Sequence, residues 1–432
     1  MKKFFTRRLV VRLFWVLGAL VLAFLLYAWR SPIPPIDAPA AESFDAAAIR
    51  RGAQLAALGD CATCHTAPGG ETFAGGRAVE TPFGTIYSTN ITPDTPTGIG
   101  RWSQVAFQRA MREGVDREGD HLYPAFPYDH FTLVNDEDSA ALYAYIMTRE
   151  PVRAKTPDNR LAFPFNMRFM IAGWKLIFLH SGPYAPDNQH DAQWNRGAYL
   201  ANGIGHCGAC HTPRNGLGAE IAAQHFGGGE AEGWYAYAIN ADSKSLEAWN
   251  AEDLHMYLSK GWHDRHGDAH GPMAAVAQNL SSLPDADVKA IASYVASVMG
   301  NRSPALPAAG ADAGAEKASL SAAPSNDTGA AIYATTCANC HDGTRALPFG
   351  GVKLMLSTAV TGESSTNLIN VILDGLHAPE GTAGAIMPGF STTLTDGQLE
   401  SLVAYIRSNL GAQPPWTGVE NTVREARSRD RD

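Results

Sequence analysis

The sequence of 432 residues has few charged residues and contains no motif typical of nucleotide binding or of a catalytic nucleophile. Charged residues make up 18% of the chain, and the net charge is −9. This balance argues against nucleic acid as the main partner, because phosphate binding needs a basic surface. The chain lacks a phosphate-binding loop and a dinucleotide fingerprint, which argues against a nucleotide-dependent enzyme. No cysteine lies outside three short repeated motifs, so neither a disulfide framework nor a free cysteine nucleophile is expected.

Acidic residues are missing from the first twelve positions, and an uncharged apolar run follows them. The cations in this stretch are Lys2, Lys3, Arg7, Arg8 and Arg12. The run from Leu13 to Trp29, lengthened by Leu9 to Val11, approaches the roughly 20 residues of a membrane-spanning helix. Because cytoplasmic flanks carry the excess of cations, we expect the N-terminus in the cytoplasm and the remaining chain on the opposite side of the membrane.

A cleaved signal peptide is the alternative for residues 1–30. Ala38-Pro-Ala40 offers a cleavage site of small residues, but it lies well beyond the apolar run. Pro32, Pro34 and Pro35 stand between the run and this site. The sequence therefore favours a retained anchor and leaves cleavage open.

All six cysteines fall in Cys-x-x-Cys-His motifs. These are Cys61-Ala-Thr-Cys64-His65, Cys207-Gly-Ala-Cys210-His211 and Cys337-Ala-Asn-Cys340-His341. On one helical turn, two sulfurs at this spacing reach the two vinyl groups of one porphyrin as thioethers, and the next His becomes the proximal iron ligand. A zinc site of four cysteines would use two of the three cysteine pairs and would leave the third pair without a partner. The sequence predicts three covalent c-type haems.

The sequence before each motif is an internal repeat. Arg51-Gly-Ala-Gln-Leu-Ala, Arg196-Gly-Ala-Tyr-Leu-Ala and a looser copy beginning at Gly329 precede the three motifs. Each module closes with an amphipathic helix, predicted to begin near Asn135-Asp136, Pro284-Asp285 and Thr395-Asp396. A helix that leads into the haem site and is crossed by a C-terminal helix is the cytochrome c arrangement. The predicted fold class is therefore all-α, with three tandem cytochrome c domains.

Composition and the repeats divide the chain into segments. They are 1–30 (N-terminal transmembrane anchor or signal segment), 44–152 (first cytochrome c domain), 153–190 (apolar connector), 191–300 (second domain), 301–328 (flexible linker), 329–412 (third domain) and 413–432 (polar tail, expected to be mobile). Within the connector, Phe163 to Leu179 is strongly apolar but too short to span a membrane. It is either a core helix that packs the first two modules together, or a docking surface for a partner subunit or the membrane interface.

Electron-transfer haems normally have both axial positions filled. Met273, in Gly271-Pro-Met-Ala, and Met387, in Ile386-Met-Pro-Gly-Phe, hold corresponding places and are predicted distal ligands, with core packing as the alternative. In the first module Phe126 stands at this place, and phenylalanine cannot ligate iron. The sixth position of that haem is either empty or filled by one of three nearby residues. These candidates are His121, His130 and Met147.

Over nearly its whole length, the chain resembles the trihaem cytochrome c subunits of membrane-bound bacterial dehydrogenases. The stretches that carry the resemblance are Tyr87-Ser-Thr-Asn-Ile-Thr-Pro-Asp, Thr97-Gly-Ile-Gly-Arg-Trp102 and Leu122-Tyr-Pro-Ala-Phe-Pro-Tyr128. The resemblance implies that a periplasmic catalytic subunit oxidises the substrate and that electrons cross three haems to ubiquinone. It also implies that the chain itself is a non-catalytic electron-transfer subunit.

The residues around Phe126 are the part of the resemblance that bears on the partner. Phe126, followed by Asp129-His-Phe131, resembles the branch paired with molybdenum hydroxylase-type enzymes, whereas alcohol dehydrogenase members usually show Met at this place. By this resemblance we expect a molybdenum and iron–sulfur aldehyde dehydrogenase as partner. The alternatives are a PQQ alcohol dehydrogenase or a flavin sugar or gluconate dehydrogenase as partner, a free-standing electron shuttle and, more distantly, an autonomous haem peroxidase.

Overall fold

The structure is a computed structural model that describes residues 2–300, 328–342, 353–377 and 386–429. It divides into two compact units, Met1–Ala185 and Pro186–Asp432. The division falls inside the predicted connector 153–190.

Helices account for about half of the residues that the structure describes. The described α-helices are α1 (Lys2–Ala28), α2 (Ala46–Leu58), α3 (Cys61–Cys64), α4 (Gln104–Glu113), α5 (Tyr128–Phe131), α6 (Asp136–Met147), α7 (Ile171–Phe178), α8 (Ala192–Asn202), α9 (Gly208–His211), α10 (Ala251–Lys260), α11 (Pro272–Leu280), α12 (Asp285–Met299), α13 (Thr328–Ile332), α14 (Ala338–His341), α15 (Thr358–Thr361), α16 (Thr366–Asp374), α17 (Asp396–Tyr405) and α18 (Val419–Ser428). Short 3₁₀ segments cover Ala41–Ser43, Arg168–Met170, Ala222–Gln224 and Leu354–Leu356, and π-helical turns cover Tyr333–Cys337 and Ile406–Leu410.

Three small antiparallel sheets accompany these helices, and the sequence does not predict them. Their strands are β1 (Ala78–Thr81), β2 (Gly84–Tyr87), β3 (Arg160–Leu161), β4 (Gly229–Ala231), β5 (Trp234–Ala236), β6 (Trp262–His263) and β7 (Gly267–Asp268). One sheet has the order β1-β2-β3, and the others are the β4–β5 and β6–β7 hairpins. Strands of two to four residues are too short to show the alternation of apolar and polar residues by which a strand is recognised.

In the first unit, α2 crosses α6 at Gly52. A Cβ atom added to Gly52 would lie 2.0 Å from the Ala141 carbonyl oxygen, so only glycine allows this approach. Beside the crossing, the Arg51 guanidinium donates to both carboxylate oxygens of Asp138, at 2.9 and 3.1 Å. Such a bidentate pair fixes the relative rotation of the two helices.

The second unit repeats this crossing twice. A Cβ atom on Gly197 would lie 2.0 Å from the Ala290 oxygen, and one on Gly329 would lie 2.1 Å from the Ser401 oxygen. Arg196 donates to Asp287 at 2.8 and 2.9 Å, as Arg51 does to Asp138. The third copy has Thr328 where the other two have arginine. The repeat inferred from the sequence is therefore also a repeat in packing.

The three predicted closing helices begin where the sequence indicates. α6, α12 and α17 start at Asp136, Asp285 and Asp396. Asn135 caps α6 through its side chain, which accepts from the Asp138 amide at 2.8 Å. α17 begins with a reciprocal capping box between Thr395 and Gln398. These three helix starts are confirmed.

The C-terminal segment differs from the expectation. Residues 413–432 are expected to form a mobile polar tail, but α18 is a helix that contacts α16 and α17. Val423 and Ala426 are fully buried in the core of the third module. The expectation of mobility is therefore wrong for this helix. The sequence does not reveal its buried face, because that face has only a few apolar side chains among many charged residues. The predicted linker 301–328 falls outside the described residues, apart from Thr328.

Candidate haem-binding sites

The first Cys-x-x-Cys-His motif folds into one helical turn that presents a neutral histidine. Cys61 and Cys64 begin and end α3, and the His65 amide donates to the Cys61 carbonyl oxygen at 2.9 Å. Nδ1 of His65 lies 2.7 Å from the Thr89 carbonyl oxygen, to which it donates. Burial lowers the pKa of His65, so the imidazole is neutral and its lone pair is on Nε2. A carbonyl acceptor that holds Nδ1 is the usual orienting partner of a metal-ligating histidine.

The second motif has the same geometry in the other unit. The His211 amide donates to Cys207 at 3.0 Å, and Nδ1 of His211 lies 2.7 Å from the Tyr237 carbonyl oxygen. Burial again lowers the pKa of this histidine. His65 and His211, in separate units, therefore have the same tautomer and the same type of hydrogen-bond acceptor.

The residues just after each histidine extend the match. The hydroxyl of Thr66 accepts from the Phe73 amide at 3.2 Å, and the hydroxyl of Thr212 accepts from the Phe226 amide at 3.1 Å. Both phenylalanines have positive φ, 65° and 59°, which non-glycine residues rarely adopt. A whole supporting loop is therefore repeated, and not only the motif itself.

The third site is described only in part. Cys337 ends a π-helical turn, and α14 then runs to His341. Burial lowers the pKa of His341, and its Nδ1 has no hydrogen-bond partner among the described residues. Residues 343–352, which follow it, lie outside the described part of the chain.

The six cysteines, all of which are among the described residues, form no disulfide bond with one another. Burial raises the pKa of both Cys61 and Cys207 to about 12, so neither is a reactive thiolate. Two cysteines on one turn that share no disulfide, followed by a neutral histidine held at Nδ1, fit covalent haem attachment better than a zinc site or a disulfide-exchange site.

The two predicted distal methionines follow structured turns. Met273 is the second residue of α11, directly after Gly271, whose φ is 55°, and Pro272. Met387 exchanges two backbone hydrogen bonds of 2.9 Å with Leu376, and its side chain packs against the core of the third module. Their assignment as iron ligands stays a prediction.

Two protein families and several known proteins match the chain in sequence. The family described as Cytochrome c matches residues 49–150, and the family described as Cytochrome C oxidase, cbb3-type, subunit III matches residues 324–406. The chain is 38% identical to the fructose dehydrogenase cytochrome subunit of Gluconobacter japonicus, covering 84% of this chain and 79% of the relative. It is 39% identical to the gluconate 2-dehydrogenase cytochrome c subunit of Pantoea cypripedii, covering 84% and 86%. The chain belongs to the cytochrome c subunits of dehydrogenases.

A further relative is much longer than this cytochrome subunit. A nicotinate dehydrogenase subunit from Pseudomonas putida is 46% identical over 410 residues, which cover 93% of this chain. The same alignment covers 33% of the relative, so the chain spans about a third of that protein's length. Family membership confirms the resemblance found in the sequence, and cytochrome c domains indicate covalently bound c-type haem.

For the first haem of this cytochrome subunit, the structure separates the three candidate sixth ligands. Both ring nitrogens of His121 are occupied, since Nε2 lies 2.7 Å from the Ala28 carbonyl oxygen and Nδ1 lies 3.0 Å from the Lys175 amine. Met147 is buried in a cluster against which Cys61 packs. His130 is buried in α5. The assignment of the sixth ligand among these three residues stays a prediction.

Two features near these sites are not predicted from the sequence. Lys175 is buried, donates to the Gly114 carbonyl oxygen at 2.6 Å and contacts His121. In the sequence, Lys175 is marked only as a charged residue inside an apolar run. In the second unit, the Asn367 side chain makes hydrogen bonds of 2.9 and 2.8 Å with the Tyr235 backbone. This contact ties α16 to the strand that precedes Tyr237, the acceptor of His211.

Proposed function

We propose that the chain is a membrane-anchored trihaem subunit that carries electrons from a periplasmic dehydrogenase catalytic subunit to ubiquinone. The observation that carries the proposal is the threefold motif on a helix crossed at glycine, with matched histidine geometry at His65 and His211. When bound, each haem supplies a one-electron carrier. The chain contributes covalent attachment, the orientation of the proximal imidazole and the exclusion of water.

The site residues of this proposal are those of the sequence analysis. Covalent attachment is by Cys61, Cys64, Cys207, Cys210, Cys337 and Cys340; the proximal ligands are His65, His211 and His341; and the distal ligands are Met273 and Met387. A methionine ligand raises the reduction potential of a haem relative to a histidine ligand, which favours acceptance of electrons from an organic substrate's dehydrogenase. For the first haem, the candidates are His121, His130 and Met147, and the two hydrogen bonds of the His121 ring favour the other two.

The partner proposed is a molybdenum hydroxylase-type dehydrogenase with iron–sulfur centres. Phe126 in Tyr-Pro-Ala-Phe-Pro-Tyr supports this branch, and so does the 46% identity to a nicotinate dehydrogenase subunit. Nicotinate is an N-heterocycle, so that relative supports an N-heterocycle as well as an aldehyde as the partner's substrate. The fructose and gluconate relatives support the alternative, a flavin-type partner.

The membrane part of the proposal is that α1 is a retained anchor. The stretch Leu9–Ala28 is long and apolar enough to cross a membrane. The end of this helix is attached to the first unit, because the Ala28 carbonyl oxygen accepts from buried His121 and the Ser31 oxygen accepts from Arg109 at 2.7 Å. Cleavage after Ala40 would remove both acceptors and leave His121 buried without this partner.

Purification of the complex through a tag on Asp432, in mild detergent, tests this function. We expect a large dehydrogenase subunit, molybdenum and iron–sulfur in fixed ratio to three c-type haems per chain. The intact mass of the chain should include α1. Flavin or PQQ in place of molybdenum would overturn the choice of partner, and recovery of the chain alone would favour a free-standing shuttle.

A further inference from the structure

Helix α7 and the 3₁₀ turn before it have two different faces. The inner face is buried: Ala172 and Lys175 are 1% and 7% exposed, and the ring of Trp174 meets that of Tyr128 edge-on at 6.1 Å. The outer face is apolar and exposed. Its side chains are Phe169 (41% exposed), Met170 (43%), Leu176 (67%) and Ile177 (63%).

No charged side chain of residues 168–178, all of them described, belongs to this outer face. Lys175 turns inward to the Gly114 carbonyl oxygen, and Arg168 pairs with Asp116 at 3.2 Å. A soluble surface normally mixes charges with its apolar residues, and a contiguous exposed apolar patch marks an interaction site.

The position of the outer face is set by α1. The ring of Phe169 lies 6.4 Å from that of Phe24, and Gly173 packs against Phe24, where an added Cβ would lie 3.5 Å from the ring. Phe24 precedes the end of α1 by four residues, or about 6 Å of helix rise. A helix of 20 apolar residues spans about the thickness of the hydrocarbon layer, so Phe24 lies about 6 Å inside its outer boundary.

We propose that the outer face of α7, from Phe169 to Ile177, rests in the outer leaflet of the bilayer that α1 spans. This inference depends on the retained anchor of the proposed function. Phe169 and Gly173 contact Phe24, so they lie at nearly the same depth in the membrane as Phe24. This depth of about 6 Å is within the 5–10 Å to which interfacial helices insert. The lipid surface, rather than a partner subunit, therefore covers this face.

The consequence is a fixed orientation for the first haem module. α1 is fixed to the module through Ala28 and Ser31, and a second membrane contact through α7 also holds one side of the module on the membrane. This side carries α7 and the buried Lys175–His121 pair. A lipid-soluble acceptor such as ubiquinone diffuses next to it.

Single-cysteine accessibility tests the membrane contact in the full haem-loaded chain. In that chain the six native cysteines are bound to haem, so one introduced thiol is the only reactive one. We would compare Ile177→Cys with Val105→Cys, since Val105 is equally exposed (64%) but lies on α4. Leu17→Cys, in the middle of α1, reports on the anchor. Each variant is reconstituted alone in phosphatidylethanolamine–phosphatidylglycerol vesicles and treated with a membrane-impermeant maleimide.

We expect the thiol at 177 to react at least tenfold more slowly than the thiol at 105, and the thiol at 17 not to react. Equal rates at 177 and 105, with 17 protected, would overturn the α7 contact and leave the anchor intact. Rapid reaction at 17 would overturn the anchor itself. No catalytic subunit is present in these vesicles, so protection at 177 comes from lipid. Unchanged haem spectra confirm that each variant is folded.

Discussion

At the scale of single residues, hydrogen bonds to the backbone fix the orientation of two of the predicted proximal histidines. His65 and His211 each direct Nδ1 to a backbone carbonyl oxygen at 2.7 Å. Which nitrogen faces iron is therefore decided by loops that follow the motif by 24 and 26 residues. The spacing of cysteine and histidine is readable from the sequence, but these acceptors are not, because a backbone carbonyl can belong to any residue type.

The first prediction concerns His211. His211→Ala should leave haem attached through Cys207 and Cys210 but remove its proximal ligand, converting one of three haems from low spin to high spin. The visible and electron paramagnetic resonance spectra measure this change. His255→Ala is the matched control in the same module, since His255 only pairs with exposed Asp285 at the surface. A His211→Ala spectrum identical to the control spectrum would contradict the assignment.

Met387 provides the second prediction. Met387→His should lower one of three midpoint potentials, because imidazole stabilises ferric iron relative to a thioether ligand. The shift is a sizeable part of the ~0.8 V range that axial ligands cover, and a potentiometric titration measures it. Met387→Leu should instead give one high-spin haem. If neither variant moves a potential or a spin state, Met387 is a core residue.

The third prediction follows from the burial of Lys175. Burial lowers the pKa of Lys175 from its ordinary value of 10.5 to about 7. Between these two values the unfolded chain binds a proton that the folded chain does not, so the stability of the first unit rises with pH from 7 to 10.5. Unfolding midpoints at pH 7 and 9 should differ less in Lys175→Met than in the unaltered chain. A Lys289→Met control, on an exposed lysine, should keep the full difference.

At the scale of elements, the helix crossings are what the sequence predicts best. Acidic first turns and a capping residue, such as Asn135, locate α6, α12 and α17 to the residue. The repeated Arg-Gly-Ala marks the partner helices, although not the reason for the glycine. That reason is a carbonyl oxygen of the crossing helix, which no local pattern encodes. The hairpins and α18 are missed because they are short or weakly apolar.

The fourth prediction tests this crossing. Gly197→Ala adds a methyl group that would lie 2.0 Å from the Ala290 oxygen, so the two helices must separate. Overpacking of this kind costs about 1–3 kcal/mol, against a gain of ~1 kcal/mol in helix propensity. The urea midpoint of the second module, followed by its haem absorbance, should fall. Gly216→Ala is the control, since an added Cβ there meets no described atom within 4 Å, and equal midpoints would contradict the account.

At the scale of the whole molecule, a helix crossing repeated three times and one apolar helix belong to a chain whose family carries electrons in dehydrogenase complexes. Covalent haem could be predicted from the six cysteines and their histidines, and the family from the stretches that begin at Tyr87, Thr97 and Leu122. What local sequence could not predict is the attachment of α1 to the first module. It depends on His121 and Lys175, which are far apart in the sequence and meet only in the fold.

Electron transfer through the haems to quinone is measured by the reoxidation of the reduced complex with a short-chain ubiquinone, followed by c-type haem absorbance in a stopped-flow instrument. We expect an absorbance change that corresponds to three haems per chain, with all three reoxidised. An amplitude of fewer than three haems, or haems that stay reduced in the presence of ubiquinone, would contradict this expectation.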